Sequence, residues 1–259
     1  MNTVAARHKP ANGAQAIQID GLLVAFGDFV AIPHLSFIAR YGEVHGVIGP
    51  NGAGKTTMLD VITGKTKPKK GTVRLDGSID LLGLDEPTIA LAGVGRKFQK
   101  PSVFEALSVR ENLEIALRLK PRSILAELRN WGDPRRVARV DEVLNEIGLS
   151  EQADLSAGSL AHGQKQWLEI GMLLMQKPKL LMLDEPVAGM TEEETRHTAD
   201  LVQRLRSPER AVLVIEHDMA FVEEIADRVT VLHEGNPIFE GQMEDARQDA
   251  QVRAVYLGR

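Results

Sequence analysis

Apolar residues fall into short blocks separated by glycine, proline and polar residues, and each block predicts one secondary-structure element. Apolar and polar residues alternate over residues 17–24, which predicts strands. The short apolar block at 46–48 predicts a buried strand that runs into a glycine-rich loop. A helix is predicted over 55–63, ended by Gly64, and a further strand over 71–75.

The pattern becomes mostly helical from residue 101 to about residue 161. Ser108 and Glu111 have the spacing of a capping box, in which each side chain satisfies a free backbone N–H group of the other residue. Asp133 and Pro134 pair an N-cap residue with proline at the first helical position. We therefore expect a helical insertion within an α/β domain.

Strands and helices alternate again in the C-terminal half. Apolar strands are predicted over 180–183, 212–215 and 229–232. Thr191 and Glu194 again have capping-box spacing and predict the start of a helix. Because buried strands that alternate with helices form parallel sheets, we expect an α/β fold with a mainly parallel sheet covered on both faces.

Composition and charge narrow the class of protein. A length of 259 residues fits one domain with an insertion. The net charge of −5 offers no general attraction for nucleic acid, and the basic run at 65–70 is expected to be a solvated loop. Cysteine is absent, which excludes disulfides and is typical of a reducing cytoplasm. No apolar run approaches the roughly 18 residues of a spanning helix and the start lacks a signal-peptide core, so any membrane role is expected through a partner.

One loop matches the phosphate-binding pattern G-x-x-x-x-G-K-[ST] at every position, between a predicted strand and a predicted helix. Its glycines let successive backbone N–H groups surround phosphate oxygens, and the positive end of the following helix adds attraction. Lys55 is expected to reach the β- and γ-phosphates, and the Thr56 hydroxyl to bind Mg²⁺. The candidate nucleotide-binding residues of this loop are Gly49, Pro50, Asn51, Gly52, Ala53, Gly54, Lys55, Thr56 and Thr57.

Two carboxylates follow the apolar strand at 180–183. Asp184 and Glu185 are expected to emerge at the C-terminal edge of the sheet, beside the phosphates. Asp184 is predicted to hold Mg²⁺, mainly through water, and Glu185 to polarise the attacking water as general base. A strand that ends in two acids is common by itself, but together with the phosphate loop it predicts hydrolysis of a nucleoside triphosphate.

The order of these motifs along the chain resembles that of the ABC transporter ATPases. The resemblance covers nearly the whole chain. It implies a P-loop NTPase core, a mainly parallel sheet with flanking helices and additional antiparallel strands. It also implies an ATPase domain over 16–259 with a helical subdomain inserted at 100–162. The remaining segments are an expected disordered tail at 1–15 and a C-terminal tail at 240–259.

The resemblance implies roles for three further residues. Gln99 stands at the position of the family's hinge glutamine, which touches Mg²⁺ or the attacking water. Phe26 matches the aromatic residue that stacks on adenine. His217 matches the switch histidine, which hydrogen-bonds the γ-phosphate and the water held by Glu185.

Residues 160–164 occupy the position of the signature motif, which in this family faces ATP bound by the other subunit of a dimer. The nucleotide-binding residues implied there are Ala161, His162, Gly163 and Gln164. Ala161 replaces the family's usual serine, so a hydroxyl contact with phosphate is missing. We expect weaker ATP-driven dimerisation or slower turnover as a result. The subunit-communication loop is expected at 188–191, where Thr191 stands in place of the usual Asp.

Within the family, the chain looks like the ATPases of branched-chain amino-acid importers. Three stretches, 95–108, 162–174 and 184–191, look closer still to the urea-importer ATP-binding subunit. Urea uptake is therefore the main expectation and branched-chain amino-acid uptake the alternative. The implied cofactors are ATP and Mg²⁺. The implied partners are membrane permease subunits at the cytoplasmic face of a bacterial inner membrane, an identical or related ATPase subunit and, indirectly, a periplasmic solute-binding protein.

Two other classes of protein share part of this set of motifs. Non-transport ABC proteins of translation or DNA repair usually carry two cassettes or a long coiled coil, and the sequence predicts neither. A small-molecule kinase with the same phosphate loop would leave the signature and switch motifs without a purpose. Neither class explains the whole set of motifs.

Overall fold

Two sheets form the framework of the chain, whose computed structural model describes residues 14–97, 102–117 and 134–257. The first sheet has four antiparallel strands in the order β2-β1-β4-β5. Of the predicted disordered tail, only residues 14 and 15 are described, and Gln15 already begins the first strand. The strands of this sheet are β1 (Gln15–Phe26), β2 (Phe29–Arg40), β4 (Lys70–Leu75) and β5 (Ile79–Asp80).

The second sheet has six strands in the order β10-β9-β3-β8-β7-β6, and all its pairings are parallel except that of β10 with β9. The strands β3, β7 and β8 are buried at every position, as expected for parallel strands covered on both faces. The strands of this sheet are β3 (Val44–Ile48), β6 (Val94–Lys97), β7 (Leu180–Asp184), β8 (Ala211–Ile215), β9 (Arg228–His233) and β10 (Asn236–Gly241).

Helices cover both faces of the six-stranded sheet. Short 3₁₀ turns at Ser150–Gln152 and Ala157–Ser159 precede the helix that follows residue 161. The helices in the described part of the chain are α1 (Lys55–Ile62), α2 (Glu86–Ala92), α3 (Val109–Ala116), α4 (Pro134–Glu146), α5 (His162–Met175), α6 (Glu192–Arg204), α7 (Met219–Ile225), α8 (Met243–Gln248) and α9 (Ala250–Leu257). None of these helices has the length and apolar character needed to cross a bilayer.

The described core has three hydrophobic clusters, and alternation along β7 divides its side chains between two of them. Leu181 and Leu183 belong to a cluster with residues of α3, α4, α5 and α6. Leu180 and Met182 belong to a cluster with α1 and the antiparallel sheet. Because successive strand residues point to opposite faces, β7 is packed between the phosphate-loop helix α1 and the signature helix α5.

Most predicted elements are confirmed. Both capping boxes are present, at Ser108 with Glu111 and at Thr191 with Glu194. The helix predicted at Pro134 begins there, while Asp133 lies outside the described residues. Within 100–162 the described elements are helical, although the division into a separate subdomain stays a prediction. The segment 240–259 was predicted only as a tail, and it contains both α8 and α9.

Candidate active site

The phosphate loop connects the end of β3 to the start of α1. Gly49 lies so close to strand β9 that a Cβ atom there would collide with the Leu232 carbonyl oxygen. Gly54, the N-cap of α1, has a φ of 96°, in the left-handed region where glycine is favoured. No side chain caps α1, so the backbone N–H groups of its first turn face the loop without a side-chain acceptor. This is the geometry that binds phosphate at a helix N-terminus.

Lys55 is held inside the phosphate loop. Its Nζ donates hydrogen bonds to the carbonyl oxygens of Gly49, at 2.6 Å, and Pro50, at 3.0 Å. Burial lowers the pKa of Lys55, while attraction from Glu185 and Asp184 opposes that shift. The ammonium group is therefore positioned between the loop and the acidic end of β7.

A cavity of about 320 Å³ lies over the loop. It brings Glu185 into the same space as the phosphate loop, as the sequence predicted, because β7 lies two strands from β3 in the sheet. The lining residues are Phe29, Ala31, Asn51, Gly52, Ala53, Gly54, Lys55, Thr56, Thr57, Glu185 and Ile215.

Two aromatic residues stand beside this cavity, and the sequence singled out one of them. Phe26 and Phe29 are cross-strand partners at the β1–β2 turn and are 52% and 68% exposed. Phe29 lines the cavity and Phe26 does not. The adenine role of Phe26 stays a prediction, and Phe29 joins it as a candidate that motif matching missed. The signal that could have found it is the short turn between two aromatic residues.

Asp184 ends β7 and is held by an arginine that the sequence analysis did not assign to the site. Arg96 Nη2 donates to Asp184 Oδ2 at 2.9 Å, and Arg96 Nη1 donates to Asp60 Oδ1 at 2.6 Å. Asp184 Oδ1 is buried and has no hydrogen-bond partner among the described residues. A buried carboxylate oxygen without a partner, together with the Thr56 hydroxyl on the exposed side of the loop, fits a hard cation that prefers oxygen ligands.

Glu185 has an unusual backbone conformation. Its φ is 47°, in the left-handed region that non-glycine residues rarely adopt, and such strain is concentrated at functional sites. Its backbone N–H donates to the Ile215 carbonyl at 2.9 Å, which fixes the turn that follows β7. The Glu185 carboxylate is 30% exposed and lines the cavity, so it is accessible to water.

His217 and the buried Glu216 lie beside Glu185. His217 Nδ1 is 4.0 Å from Glu185 Oε1 and 3.5 Å from Glu216 Oε2. Glu216 is only 1% exposed, and burial raises its pKa. Its two oxygens accept from the backbone N–H groups of Val187 and His217, at 3.2 Å and 3.0 Å. Glu216 thereby connects the segment after Glu185 to the loop that carries His217, a role that sequence analysis missed.

The signature residues lie away from the cavity. Ala161 is the N-cap of α5 and offers no side-chain acceptor, although Gln164 Oε1 accepts from its backbone N–H at 3.0 Å. The Gly163 N–H donates to Glu194 Oε1 at 3.2 Å, so the start of α5 is linked to α6. His162 is exposed, and no residue of 160–164 lines the cavity. Gln99, the remaining predicted site residue, lies outside the described residues.

A parallel sheet, a phosphate loop and an acidic strand end that share one cavity define a P-loop ATPase. The chain belongs to the ABC transporter family, since a family model described as "ABC transporter" matches residues 32–188. It is therefore an ATP-binding, ATP-hydrolysing subunit.

Several proteins resemble it over nearly its full length. The high-affinity branched-chain amino acid transport ATP-binding protein BraF of Pseudomonas aeruginosa is 39% identical, over 93% of this chain and 97% of that protein. LivG of Escherichia coli, which has the same description, is 36% identical over the same shares. The ADP conformation of MJ1267, an ATP-binding cassette of an ABC transporter, superposes with a TM-score of 0.81 at 30% identity, over 95% of this chain and 99% of that one.

Proposed function

We propose that the chain energises a solute importer by hydrolysing ATP in the cavity over its phosphate loop. The observation that carries this proposal is the shared cavity, whose lining includes Glu185, Lys55 and Thr56. The loop amides and Lys55 bind and orient the phosphates. Catalysis of phosphoryl transfer is mostly such positioning and charge neutralisation.

The residues present fit a bound Mg²⁺. The Thr56 hydroxyl and Asp184 Oδ1 would hold it, directly or through water. When bound, Mg²⁺ neutralises charge on the phosphate oxygens. Gln99 remains a proposed third contact on the resemblance alone.

Glu185 acts as the general base in this proposal. Its carboxylate is exposed to the cavity, so it can take a proton from the attacking water. His217 is positioned by Glu216, since the backbone N–H of His217 and its ring both lie against the Glu216 carboxylate. We assign His217 to the γ-phosphate, as the resemblance implies.

The working unit is proposed to be a dimer. Within one chain the signature residues are separate from the cavity, so an isolated subunit lacks the contribution that they make to phosphate binding. A second copy or a related ATPase would supply those residues across an ATP-bound interface. The other partners proposed are membrane permease subunits, which receive the conformational change and contact the solute.

We propose branched-chain amino acids as the transported solute, because BraF and LivG carry that description and match the chain over nearly its whole length. Urea is the second candidate, supported by the resemblance of the stretches 95–108, 162–174 and 184–191. No residue of this subunit need touch the solute. Uptake of labelled leucine and labelled urea by cells that have and lack this chain separates the two candidates.

The ATPase proposal is tested with two site variants and a surface control. Lys55→Ala should lose ATP binding, measured by equilibrium dialysis with Mg²⁺. Glu185→Gln should bind ATP but release phosphate about 10²–10⁴ times more slowly, because the general base is removed. Lys179→Ala, which alters an exposed ion pair with Asp76 beyond the opposite end of β7, should leave both properties unchanged. Unchanged ATP binding in Lys55→Ala contradicts the proposed site.

A further inference from the structure

Arg96 connects two elements of the nucleotide site without lining the cavity. It lies on the edge strand β6, which pairs with β7 in parallel register, Arg96 opposite Met182. Its side chain is 4% exposed, and its guanidinium donates to Asp60 on α1 at 2.6 Å and to Asp184 at 2.9 Å. The helix that begins with the phosphate-binding Lys55 is thus joined through one side chain to the end of the acidic strand.

The arrangement requires the two arms of an arginine. Nη1 and Nη2 engage carboxylates on different elements, which the planar guanidinium can do and a single ammonium group on a flexible stem does less well. Both bonds join charged groups, and such bonds are about twice as strong as neutral ones. Asp184 has 4% of its side chain exposed, so Arg96 also compensates a charge that water does not reach.

The two oxygens of the Asp184 carboxylate have different surroundings. Oδ2 accepts from Arg96, while Oδ1 has no partner among the described residues. The terminal torsion of an aspartate is broad, so a carboxylate held at neither oxygen can rotate. Three carboxylates lie at the cavity end of β7, those of Asp184, Glu185 and Glu216. Lys55 and Lys97 attract all three, while Arg96 also holds Asp184 through a hydrogen bond of defined direction.

We infer that Arg96 is a positioning residue of the ATP site, which holds the Asp184 carboxylate in one orientation relative to α1 and leaves Oδ1 available to the metal of the bound nucleotide. The inference rests on the proposed function. Mg²⁺ requires near-ideal octahedral geometry, so its binding depends strongly on the orientation of each ligand. The binding of metal-free nucleotide depends less on the orientation of Asp184.

The test separates this role from a purely structural one. In Arg96→Gln, the Mg²⁺ concentration that gives half-maximal ATPase activity should rise about tenfold to a hundredfold, as for other residues that orient metal ligands. The affinity for ATP in EDTA should change much less than the Mg²⁺ requirement, since the residues of the phosphate loop are unaltered. Arg96→Lys should fall between the wild type and Arg96→Gln.

Two further variants keep the test decisive if Arg96→Gln does not fold. Asp60→Asn removes only the anchor on α1, at a side chain that is 21% exposed, and should raise the Mg²⁺ requirement by a smaller factor. Arg110→Gln removes a surface arginine that pairs with Asp141 and Asp154, and should leave the requirement unchanged.

Each outcome of these measurements either supports or overturns a stated proposal. A lower melting temperature with an unchanged Mg²⁺ requirement, in Arg96→Gln or in Asp60→Asn, means that the arginine only stabilises the fold and overturns it. Failure of the wild-type protein to bind ATP overturns the proposed function instead. A higher Mg²⁺ requirement with unaltered metal-free binding supports the positioning role.

Discussion

The buried carboxyl group of Glu169 is expected to make the stability of the folded protein depend on pH. It lies on α5, is 7% exposed and is attracted by Lys97, which is fully buried on β6. Burial raises the pKa of Glu169 from an ordinary 4.5 to about 7, although Lys97 and the Ser102 backbone N–H favour the charged form. One of its oxygens, Oε2, has no hydrogen-bond partner among the described residues. Loss of its proton at high pH is therefore costly.

The raised pKa makes the stability depend on pH with a definite sign. Between pH 4.5 and about 7 the unfolded chain loses the Glu169 proton while the folded chain keeps it, so stability falls as pH rises through this window. Above about pH 7 both states are ionised and the loss is complete. At about 1.4 kcal/mol per tenfold change in proton affinity, the total is about 3 kcal/mol.

The variant Glu169→Gln removes the ionisation while it nearly preserves the side-chain volume. Relative to wild type, its free energy of unfolding should increase by up to about 3 kcal/mol between about pH 5 and about pH 8.5. The variant also removes the largest attraction on the buried Lys97, which keeps the smaller attractions of Asp184, Glu216 and Glu185. The change of the difference with pH, and not its absolute size, therefore reports the ionisation of Glu169. Urea unfolding can be followed by the fluorescence of Trp167, which is buried on the same helix.

A surface carboxylate provides the matched control. Glu114 is exposed on α3, and Glu114→Gln should change the free energy of unfolding by a small amount that does not vary over the same pH range. If the difference between Glu169→Gln and wild type is equally flat with pH, Glu169 ionises normally in the folded protein and the burial argument is wrong.

Two further predictions concern the ATP site. Ala161→Ser should raise the ATPase rate at saturating ATP, because the serine adds an N-cap acceptor to α5 and a hydroxyl near the partner's phosphate; an unchanged or lower rate counts against this. Glu216→Gln should lower the maximal ATPase rate about tenfold or more while ATP binding is retained, because an amide NH₂ would then face the Val187 or His217 N–H group. ATP binding that falls in proportion to the rate would assign Glu216 to the fold alone.

Two of the strands that hydrophobic patterning missed have a shared physical cause. The strands β2 and β10 contain Pro33 and Pro237, and proline argues against a strand in sequence analysis. Both strands lie at sheet edges, where a missing N–H group costs little. The central strands β3, β7 and β8 have no such interruption, and their apolar runs predicted them correctly.

Local sequence motifs predicted part of the candidate site. The phosphate loop and Glu185 are each encoded within a few consecutive residues, and they share the cavity as expected. Arg96 and Glu216 were missed because their partners lie far along the chain, at Asp60, Asp184 and Val187. Such contacts depend on which strands are neighbours, and strand order cannot be read from the local patterns of a single sequence.

The charged residues of strand β6 explain why hydrophobic patterning did not predict this strand. They also form contacts with elements on both faces of the sheet. Half of this four-residue strand is Arg96 and Lys97, both buried, so no apolar run marks it. Successive strand residues face opposite sides of the sheet, and accordingly Arg96 bonds Asp60 on α1 while Lys97 is attracted by Glu169 on α5. Both cations also act on Asp184. The two cations of β6 therefore connect the phosphate-loop helix and the signature helix, on opposite faces of the sheet, to the same carboxylate.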